Sequence, residues 1–177
     1  LPRFPFDKFT TASNILGTQM KATGEVMGIG STLEESLLKG TRSLEIGVNH
    51  IYHHKFDNMT DADLRQYISE FRDDNIFAIA ELIYRGVTSE KLNDVTKITA
   101  FFLEAIKRII DMERSLKENP RNLEILRDAK KMGFSDKYVA RMWECEEIDV
   151  YNFRKENNLF PVFRMVDTCH TGAYIPY

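Results

Sequence analysis

The sequence is poor in cysteine, proline and tryptophan. Its 177 residues include two cysteines, Cys145 and Cys169, five prolines and one tryptophan. Neither cysteine has a partner at C-x-x-C spacing, which argues against a disulfide scaffold and against a zinc ribbon. We therefore expect a reducing, cytoplasmic setting.

The sequence also lacks a long apolar run and an excess of positive charge. No stretch approaches the ~20 residues that a membrane-spanning helix needs, and the first residues do not follow the basic-then-apolar order of a signal peptide. Twenty-four basic and 27 acidic residues give a net charge of -3, so no global positive field gathers nucleic acid or anionic lipid. We expect neither a membrane nor a nucleic-acid partner.

The residues that are present are sufficient for a folded domain. Hydrophobic residues make up 43% of the chain and charged residues 29%. A chain of this length and composition can bury a core as one domain or as two small ones, and the composition argues against disorder of the whole chain.

The first residues have an extended character. In residues 1–9, Phe4, Phe6 and Phe9 alternate with prolines and charged residues, a pattern typical of a segment that packs against something else. The chain starts at Leu1 without an initiator Met and stops at Tyr177 within an aromatic pattern. These features suggest a piece of a longer polypeptide whose upstream part would support the segment.

The rest of the chain is predicted to be mainly α-helical, with little sheet and an extended tail. Ser31 and Glu34 are spaced as a capping box for the first helix, and Gly47 is a natural stop after it. Asn119 precedes a proline at the first helical position of a later helix, and residues 50–58 form an aperiodic connector. Helices are predicted over residues 32–45, 61–72, 75–85, 89–95, 100–117, 120–132, 136–143 and 146–157, and an extended exit segment over 160–166.

An internal repeat runs through the helical part. Gly86 and Gly133 are both predicted to be left-handed helix ends, and they open two similar stretches at a constant offset. The sequence thus predicts two copies of a unit made of a helix, a glycine turn, a short helix and a third helix. The matching pairs are Leu92 with Val139, Val95 with Met142, Leu103 with Val150, and Ile106 with Phe153.

The glycine-punctuated run at residues 19–30 is the first candidate for a ligand site. Gly24, Gly28 and Gly30 precede a helix N-terminus, where backbone N–H groups attract anions. Their spacing matches neither the dinucleotide-binding nor the P-loop pattern. The alternative is structural, with the glycines letting a strand turn sharply into the capped helix. Lys21 and Glu25 could touch a ligand, or could pair with each other or face solvent.

The histidines and the second cysteine are weaker candidates. In a helix, His50 and His54 would share one face, a geometry compatible with a metal, but no H-E-x-x-H pattern or further ligand cluster accompanies them. We therefore interpret His50, His53 and His54 as a solvated polar loop. Cys169 and His170 are adjacent in an extended segment, so their side chains point to opposite faces and do not form a nucleophile and base.

A binding module is the alternative function from another class. Met132-Gly133-Phe134 is similar to the loop of small ubiquitin-binding helical modules, and the glycine turn is similar to a DNA-binding helix-turn-helix. A helical adaptor would bind a peptide or ubiquitin-like partner through residues 132–143. It requires an exposed apolar patch around Phe134 and Trp143.

Several segments, taken in order, closely resemble the large chain of carbamoyl-phosphate synthetase. The similarity continues through almost the whole sequence, and the combination is specific although single segments are not. After Cys169, residues 170–173 depart from the family pattern. The segments are residues 2–4, 20–30, 34–37, Arg85-Gly86-Val87, 92–102, 131–135 and 161–169.

The resemblance implies a division of the chain and a role for each part. Residues 1–42 would be the C-terminal remnant of the carboxyphosphate-forming ATP-grasp half, residues 43–160 a helical oligomerisation domain, and residues 161–177 a linker toward the second half. It also implies self-association and contact with the ATP-grasp halves. From the residues themselves we favour the helix at 100–117 and the pair at 61–85 as contact elements.

The resemblance further implies a parent enzyme whose catalytic residues lie elsewhere. The parent would be an ATP-dependent ligase that makes carbamoyl phosphate from bicarbonate, ammonia from glutamine and two ATP, for arginine and pyrimidine synthesis. A glutaminase small chain would supply the ammonia, and ATP with Mg or Mn would bind in the ATP-grasp body. We therefore predict no catalytic, cofactor-binding or metal-binding residue in this chain, although a supporting role of Lys21 and Glu25 in the intact enzyme is compatible with the motif.

Overall fold

A computed structural model describes residues 1–163 of the protein. The predicted linker beyond residue 163, with Cys169 and His170, lies outside the described residues. Within them the fold is mainly helical, as predicted, with one two-stranded sheet. The elements are β1 (Pro2–Arg3), β2 (Gly24–Glu25), α1 (Leu33–Ser43), a 3-10 helix (His54–Phe56), α2 (Asp61–Ser69), α3 (Asn75–Tyr84), α4 (Ser89–Thr96), α5 (Ala100–Glu118), α6 (Leu123–Lys131), α7 (Asp136–Trp143) and α8 (Glu147–Glu156).

The N-terminal segment finds part of its support within the chain. Strands β1 and β2 pair antiparallel, with Pro2 opposite Glu25 and Arg3 opposite Gly24. The N-terminal amine of Leu1 donates to the carbonyl of Val26 at 2.8 Å. Further along, Ile15 forms an isolated antiparallel bridge with Arg72. The first residues are therefore held against α1 and against the turn between α2 and α3.

Helix α1 begins one residue later than the predicted capping box. The N-cap is Thr32, whose side chain accepts from the backbone N–H of Glu35 at 3.2 Å, and Glu35 in turn accepts from the N–H of Ser31 at 2.7 Å. The predicted pair of Ser31 and Glu34 is wrong because Glu34 faces the interior. Its buried carboxylate pairs with Arg108 of α5.

Two other predicted helix bounds are also wrong. Helix α6 begins at Leu123 rather than at Pro120, since Arg121 has a left-handed φ of 59° and Asn122 is the residue that caps the helix. The Asn122 carboxamide accepts from the backbone N–H groups of Glu124 and Ile125. Helix α2 stops at Ser69, because Glu70 is already extended.

The internal repeat is present with its register preserved. In the first unit α3, α4 and α5 follow one another, and in the second α6, α7 and α8 do. Helix α7 begins 47 residues after α4 begins and ends 47 residues after α4 ends. The same offset separates Gly133 from Gly86 and the start of α8 from the start of α5. Both glycines have positive φ, 92° and 93°, as predicted. The two units therefore repeat in backbone geometry as well as in sequence.

The two glycine turns use the same pair of hydrogen bonds. Gly86 donates to Ile83 at 2.9 Å and the next residue to Leu82 at 2.9 Å. Gly133 donates to Lys130 at 3.1 Å and the next residue to Ala129 at 3.0 Å. This bonding satisfies carbonyls that a helix end leaves free, and it requires the left-handed conformation that glycine adopts without strain.

Helix α5 lies at the centre of the core. It contacts α1, α3, α4, α6 and α7. Helix α1 packs on it through the buried Leu38, and Arg42 of α1 donates to the carbonyl of Gly133 at 2.8 Å. None of the helices within residues 1–163 is both long and apolar enough to cross a bilayer. The buried residues of α5 are Leu103, Ala105, Ile106, Ile109, Ile110, Glu113 and Leu116.

Candidate functional site

Lys21 and Glu25 have separate surroundings in the structure. The Lys21 ammonium donates to the carbonyls of Ser13 at 2.9 Å and Ile15 at 2.6 Å, so it holds the preceding loop together. Glu25 lies exposed in β2. The two side chains are not hydrogen-bonded to each other, and the interpretation that they pair is wrong.

The glycine run is explained by close packing more than by a sharp turn. A Cβ on Gly28 would lie 2.1 Å from the carbonyl oxygen of Ser36 and 3.0 Å from the backbone nitrogen of Gly40. A Cβ on Gly30 would lie 2.8 Å from that of Glu35. Gly24, in contrast, has no atom within 4 Å of such a position. The chain before α1 therefore passes directly over the helix backbone, and this close approach excludes side chains at Gly28 and Gly30.

The histidine segment is not the solvated loop that the sequence predicts. His50 is 1% exposed, because it is packed between Phe134 and Tyr138, with its ring centroid 3.8 Å from that of Tyr138. The rings of His53 and His54 are stacked on each other, with His53 capping the 3-10 helix and His54 beginning it. Within residues 1–163 no three or more His, Cys, Asp and Glu side chains are grouped to hold a metal ion.

A buried polar cluster surrounds His50. The Nε2 atom of His50 lies 3.7 Å from the carboxylate of Glu113, which is too long for a hydrogen bond. Burial, with the charges of Arg42 and Arg141, lowers the pKa of His50 to about 3, so its ring is neutral. Burial likewise raises the pKa of the Glu113 carboxyl. The cluster thus contains ionisable groups whose charged forms the interior disfavours.

The surface required by the adaptor hypothesis is not exposed. Phe134 is buried against His50. Trp143 is partly buried, donates from Nε1 to the carbonyl of Leu116 at 3.2 Å, and packs edge-on against Phe153. Trp143 therefore joins α7 to α5 and α8, Phe134 packs against the loop after α1, and the hypothesis of a peptide-binding or ubiquitin-binding surface loses its basis.

An exposed aromatic pair does lie on α5. Phe101 and Phe102, in its first turn, are 65% and 50% exposed, and their rings pack edge to face at 5.3 Å. Val95, near the end of α4, is also exposed. We call these three residues the apolar corner. Its two phenylalanines lie on one of the two elements that the sequence favoured for contacts, whereas α3 has most of its apolar residues in the core.

A second exposed apolar set lies along the N-terminal segment. Met20 is 91% exposed, and Leu1, Met27 and Ile29 are also exposed. These residues flank β2 and the run before α1. They are separate in sequence from the apolar corner.

The chain matches a protein-family model. The model of the carbamoyl-phosphate synthetase large chain, oligomerisation domain, matches residues 25–158. The chain belongs to this family. The match confirms the resemblance. The family is the large chain of carbamoyl-phosphate synthetase, and that enzyme is a ligase.

The extent of the oligomerisation domain match agrees with the packing. It includes α1, which the sequence-based division assigns to the preceding ATP-grasp half, and it ends just after α8. Helix α1 packs on α5 through Leu38 and the Glu34–Arg108 pair. The division of the chain at residue 42 stays a prediction.

Sequence reasoning placed Phe101 and Phe102 only near a helix start. A signal was available, because residues 101–103 are consecutive apolar residues and Leu103 belongs to the buried stripe with Ile106 and Ile110. Three consecutive residues of a helix cannot share one face. At least one of the two phenylalanines therefore had to lie outside the face of α5 that packs in the core.

Proposed function

We propose that residues 43–160 form a non-catalytic scaffold that self-associates within the large chain of a glutamine-dependent carbamoyl-phosphate synthetase. The match to the oligomerisation domain supports self-association, and the apolar corner supports a particular surface for it. In this proposal residues 1–42 end the carboxyphosphate ATP-grasp half, and residues 161–177 lead to the second half.

We infer the activity of the parent enzyme from the family alone. The intact enzyme makes carbamoyl phosphate from bicarbonate, glutamine-derived ammonia and two ATP in the cytoplasm, for arginine and pyrimidine synthesis. Its ATP and its Mg or Mn bind in the ATP-grasp halves, and a glutaminase small chain delivers ammonia. The exposed apolar set around Met20 and Met27 is the surface on which we place the ATP-grasp body.

The apolar corner has the chemistry of an interface centre. Aromatic side chains are enriched at the core of protein interfaces, and each buries about 150–250 Å². A stable interface buries in total upwards of ~1,000 Å², so Phe101 and Phe102 from two copies supply a large part of it but not all. The polar surface of α4 and α5 around the corner must contribute the rest.

The test replaces the aromatic pair and measures association. We expect the 177-residue chain to sediment as an oligomer at micromolar concentration, and the double variant Phe101→Ser, Phe102→Ser to sediment as a monomer, measured by analytical ultracentrifugation. Loss of two central aromatic anchors weakens association by about 2 kcal/mol or more, over tenfold in the dissociation constant. The control is Phe71→Ser, because Phe71 is 69% exposed and lies between α2 and α3.

Three outcomes would contradict the proposal. If the unaltered chain remains monomeric at high concentration, autonomous association is wrong. If Phe71→Ser dissociates the oligomer and the double variant does not, the surface is wrong. ATP hydrolysis by the same preparation would contradict the non-catalytic role.

A further inference from the structure

The two repeat units expose apolar side chains at equivalent positions. Ile148, in the first turn of α8, lies 47 residues after Phe101, in the first turn of α5, and the two side chains are 59% and 65% exposed. Tyr151 is also exposed and lies three residues after Ile148, so the two share one face of α8. Leu103 and Val150, equivalent to each other, are both fully buried. The second unit therefore has an apolar surface where the first unit has the apolar corner.

The charges beside these two surfaces are opposite. Lys97 follows α4 with a left-handed φ of 58°, and its equivalent Glu144 follows α7 with a φ of 52°. Residues 97–103 include one basic and no acidic residue, whereas residues 144–150 include four acidic and no basic residue. We call the second surface the acidic corner. It consists of the exposed residues Glu144, Glu146, Glu147, Ile148, Asp149 and Tyr151.

The fold of the unit does not require these carboxylates. Acidic residues in the first turn of a helix interact favourably with its dipole, and α8 has Glu147 and Asp149 there. Helix α5 begins at the equivalent residue and has no acidic residue in its first turn. Asp149 accepts from the backbone N–H of Glu146 at 3.1 Å, which caps α8. None of the four carboxylates forms an ion pair among residues 1–163, whereas the nearby Asp136 pairs with Arg154.

The charges favour contact between unlike corners. Two acidic corners facing each other would bring together four carboxylates from each copy, and two apolar corners would bring together Lys97 of both copies. Like charges that face each other across an interface oppose association. Lys97 likewise forms no ion pair among residues 1–163, although Lys107, further along in α5, pairs with Asp111. In the unlike arrangement Lys97 lies beside the carboxylates, and the phenylalanines lie against the apolar residues of α8.

We propose that the apolar corner of one copy of this chain docks on the acidic corner of a second copy. This inference rests on the proposed self-association and adds the surface that the apolar corner contacts. Ile148 and Tyr151 supply the apolar area that Phe101 and Phe102 cover. Lys97 and Glu144 lie at the rim, where charges set orientation and the rate of association more than affinity.

The test is complementation between two variants of the 177-residue chain, measured by sedimentation velocity. The variant Phe101→Ser, Phe102→Ser lacks the apolar corner, and the variant Ile148→Ser, Tyr151→Ser lacks the apolar part of the acidic corner. We expect each variant alone to be monomeric at a concentration where the unaltered chain associates. An equal mixture should form a heterodimer, because each variant keeps the corner that the other lacks. A folding defect would not be rescued by mixing.

Charge reversal tests the same contact with the apolar residues intact. Lys97→Glu should raise the dissociation constant about fivefold at low salt, and by less as added salt screens the rim charges. Adding Glu144→Lys to this variant should restore association, because the reversed pair is again complementary. Lys8→Glu is the control, since it makes the same charge change at an exposed residue of the N-terminal segment and should leave association unchanged.

The failures of this inference and of the proposed function differ. If the chain with Ile148→Ser and Tyr151→Ser associates as the unaltered chain does, the unlike pairing is wrong and the apolar corner keeps its proposed role. A mixture of the two variants that remains monomeric, while circular dichroism shows both to be fully helical, would overturn the pairing as well. If the chain with Phe101→Ser and Phe102→Ser still associates normally, the apolar corner is not the interface and both proposals are wrong.

Discussion

At the scale of single residues, the most unusual group is the carboxyl of Glu113. It is buried on α5 beside a neutral His50, so it has no true ion pair. Burial raises its pKa, which means that the folded protein disfavours the charged form. A carboxyl whose folded pKa exceeds its unfolded value costs stability at neutral pH, and this cost disappears once the pH falls below the unfolded pKa.

We predict that Glu113→Gln stabilises the protein at pH 7. The amide keeps the shape of the side chain and removes the buried charge, so the free energy of unfolding should rise by about 1–3 kcal/mol. The gain should shrink as the pH falls and disappear below the unfolded pKa of glutamate, about 4.3, where the carboxyl is protonated in both the folded and the unfolded protein. Urea unfolding between pH 4 and pH 7 measures it.

Glu118→Gln is the control for this prediction. Glu118 ends the same helix and is exposed. Its replacement should change the free energy of unfolding by less than about 0.5 kcal/mol at every pH. A destabilised Glu113→Gln at pH 7 would mean that the carboxylate is stabilised by the interior.

At the scale of elements, the two repeat units differ at their glycine turns. Gly86 and Gly133 share their φ and their hydrogen bonds. A Cβ on Gly86 would meet no atom within 4 Å, whereas one on Gly133 would lie 3.1 Å from the Cα of Glu35. The second unit is therefore packed against α1 at its turn, and the first is not.

We predict that Gly133→Ala is more destabilising than Gly86→Ala. In both variants the alanine must adopt the left-handed conformation, which lowers the free energy of unfolding by about 1–2 kcal/mol. Gly133→Ala also crowds α1, which adds about 1 kcal/mol or more. Thermal and urea unfolding of the pair measure the difference, and equal losses would show that α1 moves away at no cost.

At the scale of the whole molecule, α1 is part of the helical core. Leu38 is fully buried, and Arg42 reaches the turn of the second repeat unit. The family match likewise includes this helix. We expect α1 to unfold together with the helices behind it and not as part of the preceding segment.

We predict that Leu38→Ala lowers the global free energy of unfolding by about 2–5 kcal/mol. The truncation leaves a cavity where α1 meets the core. Hydrogen exchange should show reduced protection in α5 as well as in α1. Lys39→Ala, at the exposed neighbouring position, should change stability by less than about 0.5 kcal/mol.

If Leu38→Ala loosens only residues 1–43 and leaves the unfolding of α2–α8 unchanged, α1 belongs energetically to the preceding segment. That outcome would support the division of the chain at residue 42. A two-state loss across all helices would move the boundary toward residue 25, where the family match begins.

The helices were predictable because their signals are local. Thr60 and Ser135 cap α2 and α7, as their sequence positions indicate, and Gly86 and Gly133 end α3 and α6. Capping and glycine turns depend on a few neighbouring residues, so sequence spacing describes them well. The predicted start at Pro120 failed because Asn122 offered a better cap two residues later.

The candidate surfaces were less predictable, since burial depends on residues distant in sequence. His50 looked like part of a polar loop, but it lies between Phe134 and Tyr138, more than 80 residues away in sequence. Phe134 and Trp143 looked available for a partner, but they contact the core. Nothing in the local sequence of either group indicates these neighbours.

The sequence by itself determined the helical class, the repeat and the family, because periodicity, capping and ordered motifs are properties of neighbouring residues. Only the tertiary structure decided which apolar residues remain exposed at the surface. Packing buried Phe134 and left Phe101 and Phe102 at the surface. It also brought His50 beside Glu113. Such choices depend on how helices distant in sequence pack around α5.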